Sequence, residues 1–278
     1  MISRVGIIGA GVMGSGMAIA LARKGIKVIV RSRHKEDKIF ENIRARLLKA
    51  LNKGKMSEDE KGSILDNIVG TTSLELVSDT DLIIESIIED LEEKQKLFKE
   101  LDKLCSSKTI FSSNTSSLKI SEIASVTNRP DKFVGLHFMN PADIIPLVEV
   151  VRTSEVSEEV VKEIVLFVES IDKEPVIVED IPGFILNHLL ILTINEAINM
   201  VYNKIATPED IDKIMQLGAN HPLGPIVLAD LIGLDIVLNI SKNLYKFFGD
   251  KYKPSPLLEE MVSAGKLGKK TGEGFYKY

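Results

Sequence analysis

Residues 9 to 14 read Gly-Ala-Gly-Val-Met-Gly, directly after the apolar run Val5-Gly6-Ile7-Ile8. A glycine triad at this spacing, between a buried strand and a helix, fits few folds. The first two glycines permit a tight turn and let backbone approach a pyrophosphate. The third lets helix and strand pack closely. The helix behind them offers unpaired N–H groups and the positive end of its dipole to an anion. Gly9, Ala10, Gly11, Val12, Met13 and Gly14 are therefore expected to bind a dinucleotide.

The chain beyond this loop repeats the rhythm. Gly14 to Lys24 reads as a helix closed by Gly25, and Lys27 to Val30 as a strand. Apolar residues near helical spacing predict a helix from about Glu36 to Lys53, and Ser57-Glu58-Asp59-Glu60 is a capping box that opens another. Strands are expected at 67–71, 81–85, 109–112, 133–138, 147–151 and 174–178, with a helix over 91–104. Near Pro182-Gly183 the alternation stops. Phe184 to Tyr202 reads as one long helix, and Thr207-Pro208-Glu209-Asp210 opens the next with cap and proline in preferred positions. Pro225 to Phe248 reads as a helical stretch with a bend at Gly233, and Ser255-Pro256 starts a short last helix. The fold class is α/β. A Rossmann-like, doubly wound, mostly parallel sheet over residues 1–182 binds the dinucleotide, and an all-α domain follows over 183–278.

Composition narrows the partners. The formal net charge is −5, so no global field draws nucleic acid or an anionic membrane, and any anion recognition must be local. Cys105 is the only cysteine, which excludes an intrachain disulfide and a cysteine-rich metal site and fits a reducing, cytoplasmic setting. No metal is expected. The apolar N-terminus could pass for a signal peptide, but it holds four glycines, almost no basic n-region, and an early Arg23-Lys24. No run of 18 uncharged apolar residues exists, so no membrane span is expected.

The second strand runs into Arg31-Ser32-Arg33-His34-Lys35. At the end of this strand a carboxylate would accept from the adenosine ribose hydroxyls, and would repel a 2′-phosphate. Here a small hydroxyl stands between two arginines, whose forked donors suit phosphate. NADP(H) is favoured over NAD(H). The competing reading is a solvated basic turn whose serine tolerates NAD.

Four further stretches carry chemistry: SSNTSSL (112–118), GLHFMNP (135–141), PLVEVV (146–151) and PGFILN (182–187). His137 stands at the end of an apolar strand, where a lone histidine is more often a satisfied core residue. Glu149 stands between valines in another apolar strand, where a charge is costly unless paired. Together they make sense. A carboxylate can fix the imidazole tautomer and leave the other nitrogen to move a proton. Ser116 sits in a hydroxyl-rich loop after a strand, where most hydroxyls cap helices. Asn187 lies on the first turn of an apolar helix.

With these stretches and the final KLGKKTGEGFYKY, the chain resembles the L-3-hydroxyacyl-CoA dehydrogenases, 3-hydroxybutyryl-CoA dehydrogenases included, over almost its whole length. The resemblance implies reversible conversion of a (S)-3-hydroxyacyl-CoA, short-chain first, to a 3-oxoacyl-CoA by hydride exchange with NAD(P), and a homodimer formed through the helical domain. It makes His137 the acid/base and Glu149 its orienting partner. It gives Ser116 a hydrogen bond to the reacting oxygen, leaving Ser117 as the cap, and sets Asn187 against the substrate carbonyl. It places Glu89, Lys94 and Asn140 near the nicotinamide and its ribose, and Lys270 near the cofactor. Lysines over 49–55 could meet CoA phosphates or form a solvated helix face. Two departures stand out. The family usually has Asp at Ser32, and Arg where this chain has His188.

Three other readings share parts of the pattern. A sugar-acid dehydrogenase such as an L-gulonate 3-dehydrogenase uses similar motifs. The β-hydroxyacid dehydrogenase and imine reductase group needs a lysine on the interdomain helix, and Phe184 to Asn199 contains none. A non-catalytic dinucleotide-binding protein would have no need of Ser116, His137, Glu149 and Asn187 together.

Overall fold

The computed structural model describes residues 2–33 and 36–278, without the side chains of 36–38. His34 and Lys35 of the basic turn lie outside the described residues. The chain divides into two compact units, Met1–Ile181 and Pro182–Tyr278.

Among the described residues of the first unit, eight strands form one sheet: β1 (Arg4–Ile8), β2 (Lys27–Arg31), β3 (Ile68–Thr71), β4 (Leu82–Glu85), β5 (Ile110–Ser113), β6 (Phe133–Phe138), β7 (Leu147–Arg152) and β8 (Glu174–Glu179). Their order is β3-β2-β1-β4-β5-β6-β7-β8. Every pairing is parallel except β6 with β7. The order reverses between β1 and β4, which opens a crevice at their carboxyl ends. Among the described residues, six α-helices connect the strands: α1 (Val12–Arg23), α2 (Glu36–Asn52), α3 (Glu58–Asp66), α4 (Leu91–Leu104), α5 (Ile120–Ala124) and α6 (Glu158–Ser170).

The exceptions follow from chain length. The connection 139–146 is too short for a crossover helix, so β7 turns back antiparallel to β6. The parallel pair β7 and β8 needs a crossover, and α6 supplies it. The sequence reading missed α6, although Ser157 accepts from Val160 N as its N-cap at 3.3 Å. It also missed the short α5. At the start of α3, Ser57 accepts from Glu60 N at 3.1 Å, as the capping box predicts.

One face of the sheet packs on α1, α2, α3 and α6 through residues such as Val5, Ile7, Met17, Ile43 and Ile164. On the other face Phe98 of α4 meets Phe111 and Phe133 at ring-centroid distances of 5.5 and 4.6 Å. The contact with Phe133 is edge-to-face, a geometry that adds to simple area burial. Arg129 closes this layer. It pairs with Asp102 at 2.7 Å and donates to the Asp102, Cys105 and Ser106 carbonyls at the end of α4.

The second unit is helical: α7 (Phe184–Tyr202), α8 (Pro208–Ala219), α9 (Pro225–Ile232), α10 (Leu234–Phe248) and α11 (Pro256–Ser263). The stretch 225–248 is two helices, not one bent helix, because Gly233 takes φ +106° and stops the first. By length and composition α7 would pass for a membrane span, which the sequence reading did not expect. Its Ile191, Ile194 and Ile198 form the core of the unit, against Ile226, Leu234, Val237 and Leu258. Two buried carboxylates staple the C-terminal tail to this core. Asp230 accepts from Phe275 N and Tyr276 N at 3.0 and 2.9 Å, and Asp212 from the Tyr276 hydroxyl at 2.7 Å.

Candidate active site

The glycine loop lies between β1 and α1. Gly9 takes φ +117°, and a Cβ there would stand 2.2 Å from the Ser86 carbonyl oxygen. A Cβ on Gly14 would stand 1.8 Å from the Gly9 carbonyl oxygen. Gly11 is different: a Cβ there would meet nothing within 4 Å among the described residues, because it faces open space. Among the described residues, no side chain caps the start of α1, and its first turn holds no acid. The loop is thus a cradle of the right form for a diphosphate.

This cradle opens into a cavity of about 550 Å³ that is also lined by Arg31, Ser32, Arg33, Asn42 and Ser86 to Ile88. Arg31 Nε donates to the Thr72 carbonyl at 3.2 Å. Burial, then the neighbouring Arg33, presses the Arg31 guanidinium below its ordinary value, with Glu100 and Glu75 opposing. Two cations crowded in this way favour an anion. Asn42, which sequence reasoning missed, donates from Nδ2 to the Ala10 carbonyl at 3.2 Å and braces the loop. It lies on α2, and nothing in its local pattern marks it.

Past β4 the chain builds a second set of contacts. Glu85, at the end of the strand, accepts from Lys94 Nζ at 2.6 Å, Ile87 N at 2.7 Å and Ser113 Oγ at 2.5 Å. Lys94 lies 3.5 Å from Glu89 as well. Glu89 Oε1 in turn accepts from Thr115 Oγ1 at 2.6 Å, Ser116 N at 2.9 Å, and Ser117 N and Oγ at 3.0 Å each. The loop that carries Ser116 is therefore shaped by one carboxylate. Ser117, expected from the sequence to cap a helix, does not cap α5; its hydroxyl donates to Glu89. The start of α5 is instead capped by Asp180, which accepts from Ile120 N at 2.7 Å and Ser121 N at 2.8 Å. Lys94, which the resemblance sets near the nicotinamide and its ribose, is buried on the Glu85 and Glu89 carboxylates.

Burial works against the Glu89 charge, but the Lys94 ammonium and the loop hydrogen bonds outweigh it and hold the carboxyl below the ordinary glutamate value. A native value below the unfolded one means stability that is present above the ordinary glutamate range. That stability is lost as the pH falls through the native value. Glu89→Gln is expected to flatten the acid limb of a plot of urea midpoint against pH, and to cost about 1–3 kcal/mol at neutral pH through unmatched hydrogen bonds. An unchanged acid limb would reject this account.

Asn114 joins this loop to the next strand. Its N–H donates to the Glu85 carbonyl at 2.8 Å, and its Oδ1 accepts from Phe138 N at 2.8 Å. Phe138 follows His137 in β6. His137 and Glu149 are direct cross-strand partners in the antiparallel register. His137 Nδ1 lies 2.7 Å from Glu149 Oε2, and both are buried, at 5% and 2% exposure. The carboxylate accepts from Nδ1–H, which makes Nε2 the basic nitrogen of the neutral ring. This is the arrangement of a proton-exchanging imidazole with a fixed tautomer.

Two models of known families cover the chain. The model described as "3-hydroxyacyl-CoA dehydrogenase, NAD binding domain" matches residues 4–181, and that described as "3-hydroxyacyl-CoA dehydrogenase, C-terminal domain" matches 183–278. The chain belongs to the 3-hydroxyacyl-CoA dehydrogenase family. A 3-hydroxybutyryl-CoA dehydrogenase of Clostridioides difficile is 47% identical over 99% of both chains. A probable 3-hydroxybutyryl-CoA dehydrogenase of Bacillus subtilis is 45% identical over 100% of this chain and 98% of its own. The crystal structure of (S)-3-hydroxybutyryl-CoA dehydrogenase from Ralstonia eutropha superposes with a TM-score of 0.95 at 40% identity, over 100% of this chain and 99% of that one. An oxidoreductase with a dinucleotide-binding domain follows from membership.

The remaining residues expected from the family pattern are placed as follows. Asn140 lies just past β6 and is exposed. Asn187 is buried on the first turn of α7 in the helical unit, after Gly183 in the left-handed region. Lys270, in the same unit, pairs with Asp235 at 2.5 Å. His188, where the family commonly has Arg, is held within the helical unit. Its Nε2 donates to the Pro182 carbonyl at 2.9 Å, and its Nδ1 accepts from the Tyr252 hydroxyl.

Proposed function

We propose that this dehydrogenase interconverts short-chain (S)-3-hydroxyacyl-CoA and 3-oxoacyl-CoA esters, 3-hydroxybutyryl-CoA and acetoacetyl-CoA first among them, with NADP(H) favoured over NAD(H). The observation that carries the reading is the imidazole anchored by a carboxylate, His137 on Glu149 at 2.7 Å, in a chain whose relatives bear the 3-hydroxybutyryl-CoA dehydrogenase name. Bound nicotinamide supplies the hydride. In reduction, the His137 imidazolium gives the Nε2 proton to the oxygen forming on C3. In oxidation, Nε2 of the neutral ring takes the proton of the C3 hydroxyl. Glu149 holds the ring by Nδ1–H and balances the imidazolium charge. Ser116, on the loop set by Glu89, hydrogen-bonds the reacting oxygen, and Asn187 holds the substrate carbonyl, in the roles the family pattern gives them. Gly9 to Gly14 take the diphosphate, Glu89 and Asn140 serve the nicotinamide end, and Lys270 serves the cofactor region. The burial of Lys94 favours a positioning role, through Glu89.

The adenosine end is read from Arg31, Ser32 and Arg33. Ser32→Asp should lower kcat/KM with NADPH relative to NADH by about tenfold or more, about 1.4 kcal/mol. If wild type already uses NADH as well as NADPH, the basic turn is not a phosphate site. The exposed apolar residues Leu189, Ile205, Ile214 and Leu217 favour a homodimer through the helical unit. A single cysteine favours a cytoplasmic setting.

A sugar-acid dehydrogenase is the second reading, because its motifs overlap these. Side-by-side turnover of acetoacetyl-CoA and L-gulonate separates them. The proposal expects the acyl-CoA to be preferred by orders of magnitude in kcat/KM, and preference for L-gulonate would overturn it.

A further inference from the structure

The turn after β2 holds one contact that the reading above does not use. Arg33 Nη2 lies 2.5 Å from Glu93 Oε2. Glu93 is the third residue of α4, and its own N–H is already taken by the Asp90 carboxylate at 2.9 Å. The Asp90 N–H, which a capping-box glutamate would take, donates to the Ile88 carbonyl at 2.9 Å, and the Glu93 side chain reaches instead to the arginine of the cofactor cavity.

Arg31 and Arg33 stand between two cavities. One is the cavity of about 550 Å³ at the glycine loop. The other, about 190 Å³, is lined by the same two arginines with Glu93, Lys96 and Glu100. A 2′-phosphate that reaches this turn draws on the donors of Arg33, and Glu93 already takes the one on Nη2. It also comes within a few ångströms of the Glu93 charge, far inside the screening length of about 10 Å at 0.1 M salt. Both effects oppose a dianion and leave a neutral ribose hydroxyl untouched.

We propose that Glu93 is a specificity-determining residue: it occupies Arg33 and so restrains recognition of the 2′-phosphate of NADP(H). The proposal rests on the reading that Arg31-Ser32-Arg33 takes that phosphate. It makes the cofactor preference of this chain a balance, set by two cations on β2 and its turn against the α4 carboxylate that pairs with Arg33, rather than by the residue at Ser32 alone. Glutamine at this position keeps the size of the side chain and suits the third residue of a helix, so Glu93→Gln removes only the charge and the ion pair.

The test uses the full chain and two adenosine probes, adenosine 2′,5′-bisphosphate and 5′-AMP, whose affinities are measured by calorimetry. The readout is their ratio in wild type, Glu93→Gln, Arg33→Gln and the double variant. The arginine is 59% exposed and the glutamate 34%, so the expected effect is that of an exposed pair, a rise of about fivefold in the preference for the bisphosphate in Glu93→Gln. In the Arg33→Gln background the same change should give no rise, an outcome that a merely structural role for Glu93 would not produce. A ratio within twofold of wild type in Glu93→Gln, with Arg33→Gln lowering it, overturns the proposal alone. A ratio that Arg33→Gln leaves unchanged overturns the phosphate reading and the proposal with it.

Discussion

Lys94→Met should destabilise the dinucleotide-binding unit by about 3–5 kcal/mol, the cost of removing one partner from a buried ion pair. Lys94 and Glu85 are 1% and 0% exposed, with Nζ 2.6 Å from Oε1. Without the ammonium, Glu85 cannot swing to water, because Ile87 N and Ser113 Oγ hold it in place. The charge is left in a site that has lost its main compensation, and methionine fills the space without supplying a donor. The pair should also be strongly coupled. Lys94→Met with Glu85→Gln should lose less stability than the sum of the single changes, because no uncompensated charge remains. Urea unfolding followed by far-UV circular dichroism reads this as an earlier first transition. A midpoint equal to wild type in Lys94→Met would mean that the pair contributes little. Since Lys94 also lies beside Glu89, the variant should loosen the Ser116 loop, and turnover should fall even where the unit is folded.

His137→Asn should lower kcat for acetoacetyl-CoA reduction by about a thousandfold, within the range that a positioned acid or base supplies. Asparagine retains a polar group of similar reach but holds no proton to exchange. Glu149→Ala should cost about a hundredfold, because the ring loses both its tautomer and its counter-charge. The two residues act as a unit, so the double variant should be no slower than His137→Asn. Additive losses in the double variant would show that Glu149 acts on something other than this ring. KM should move far less than kcat in His137→Asn, because the proton is exchanged in the transition state rather than in binding. A loss confined to KM would make His137 a binding residue.

The first half of the chain is legible because most strands are short apolar runs and α3 and α4 open on capping side chains, Ser57 and Asp90. Residue-level chemistry was readable where a polar group broke an apolar pattern. His137 and Glu149 each violate the pattern of a buried strand, and their pairing resolves both violations. Their register was not readable. It depends on β7 turning back along β6, and only that antiparallel alignment sets the two residues opposite each other.

What sequence reading missed is long-range and locally ordinary. The resemblance names Lys94 for the nicotinamide end, but nothing in Leu91-Glu92-Glu93-Lys94-Gln95-Lys96 announces its partners, and its side chain is buried against Glu85 and Glu89. Asn114 is one polar residue among several in its loop, and only the packing of β6 beside β5 gives it Phe138 N as a partner. Ser117 has the look of a cap, but Asp180, sixty residues along from Ile120, does that work. Helix α6 carries a start signal at Ser157 that the strand rhythm obscured. The break at Gly233 was legible as a bend and became a full stop, because a residue at φ +106° cannot continue a helix.

The most direct measurement is a single turnover: wild-type chain preloaded with reduced dinucleotide is mixed with acetoacetyl-CoA, and loss of the reduced nicotinamide is followed. The account predicts stoichiometric oxidation of the nicotinamide with formation of (S)-3-hydroxybutyryl-CoA. Tight binding of the dinucleotide with no oxidation on adding acetoacetyl-CoA would contradict it, and would make the chain a binding protein or a dehydrogenase of another substrate.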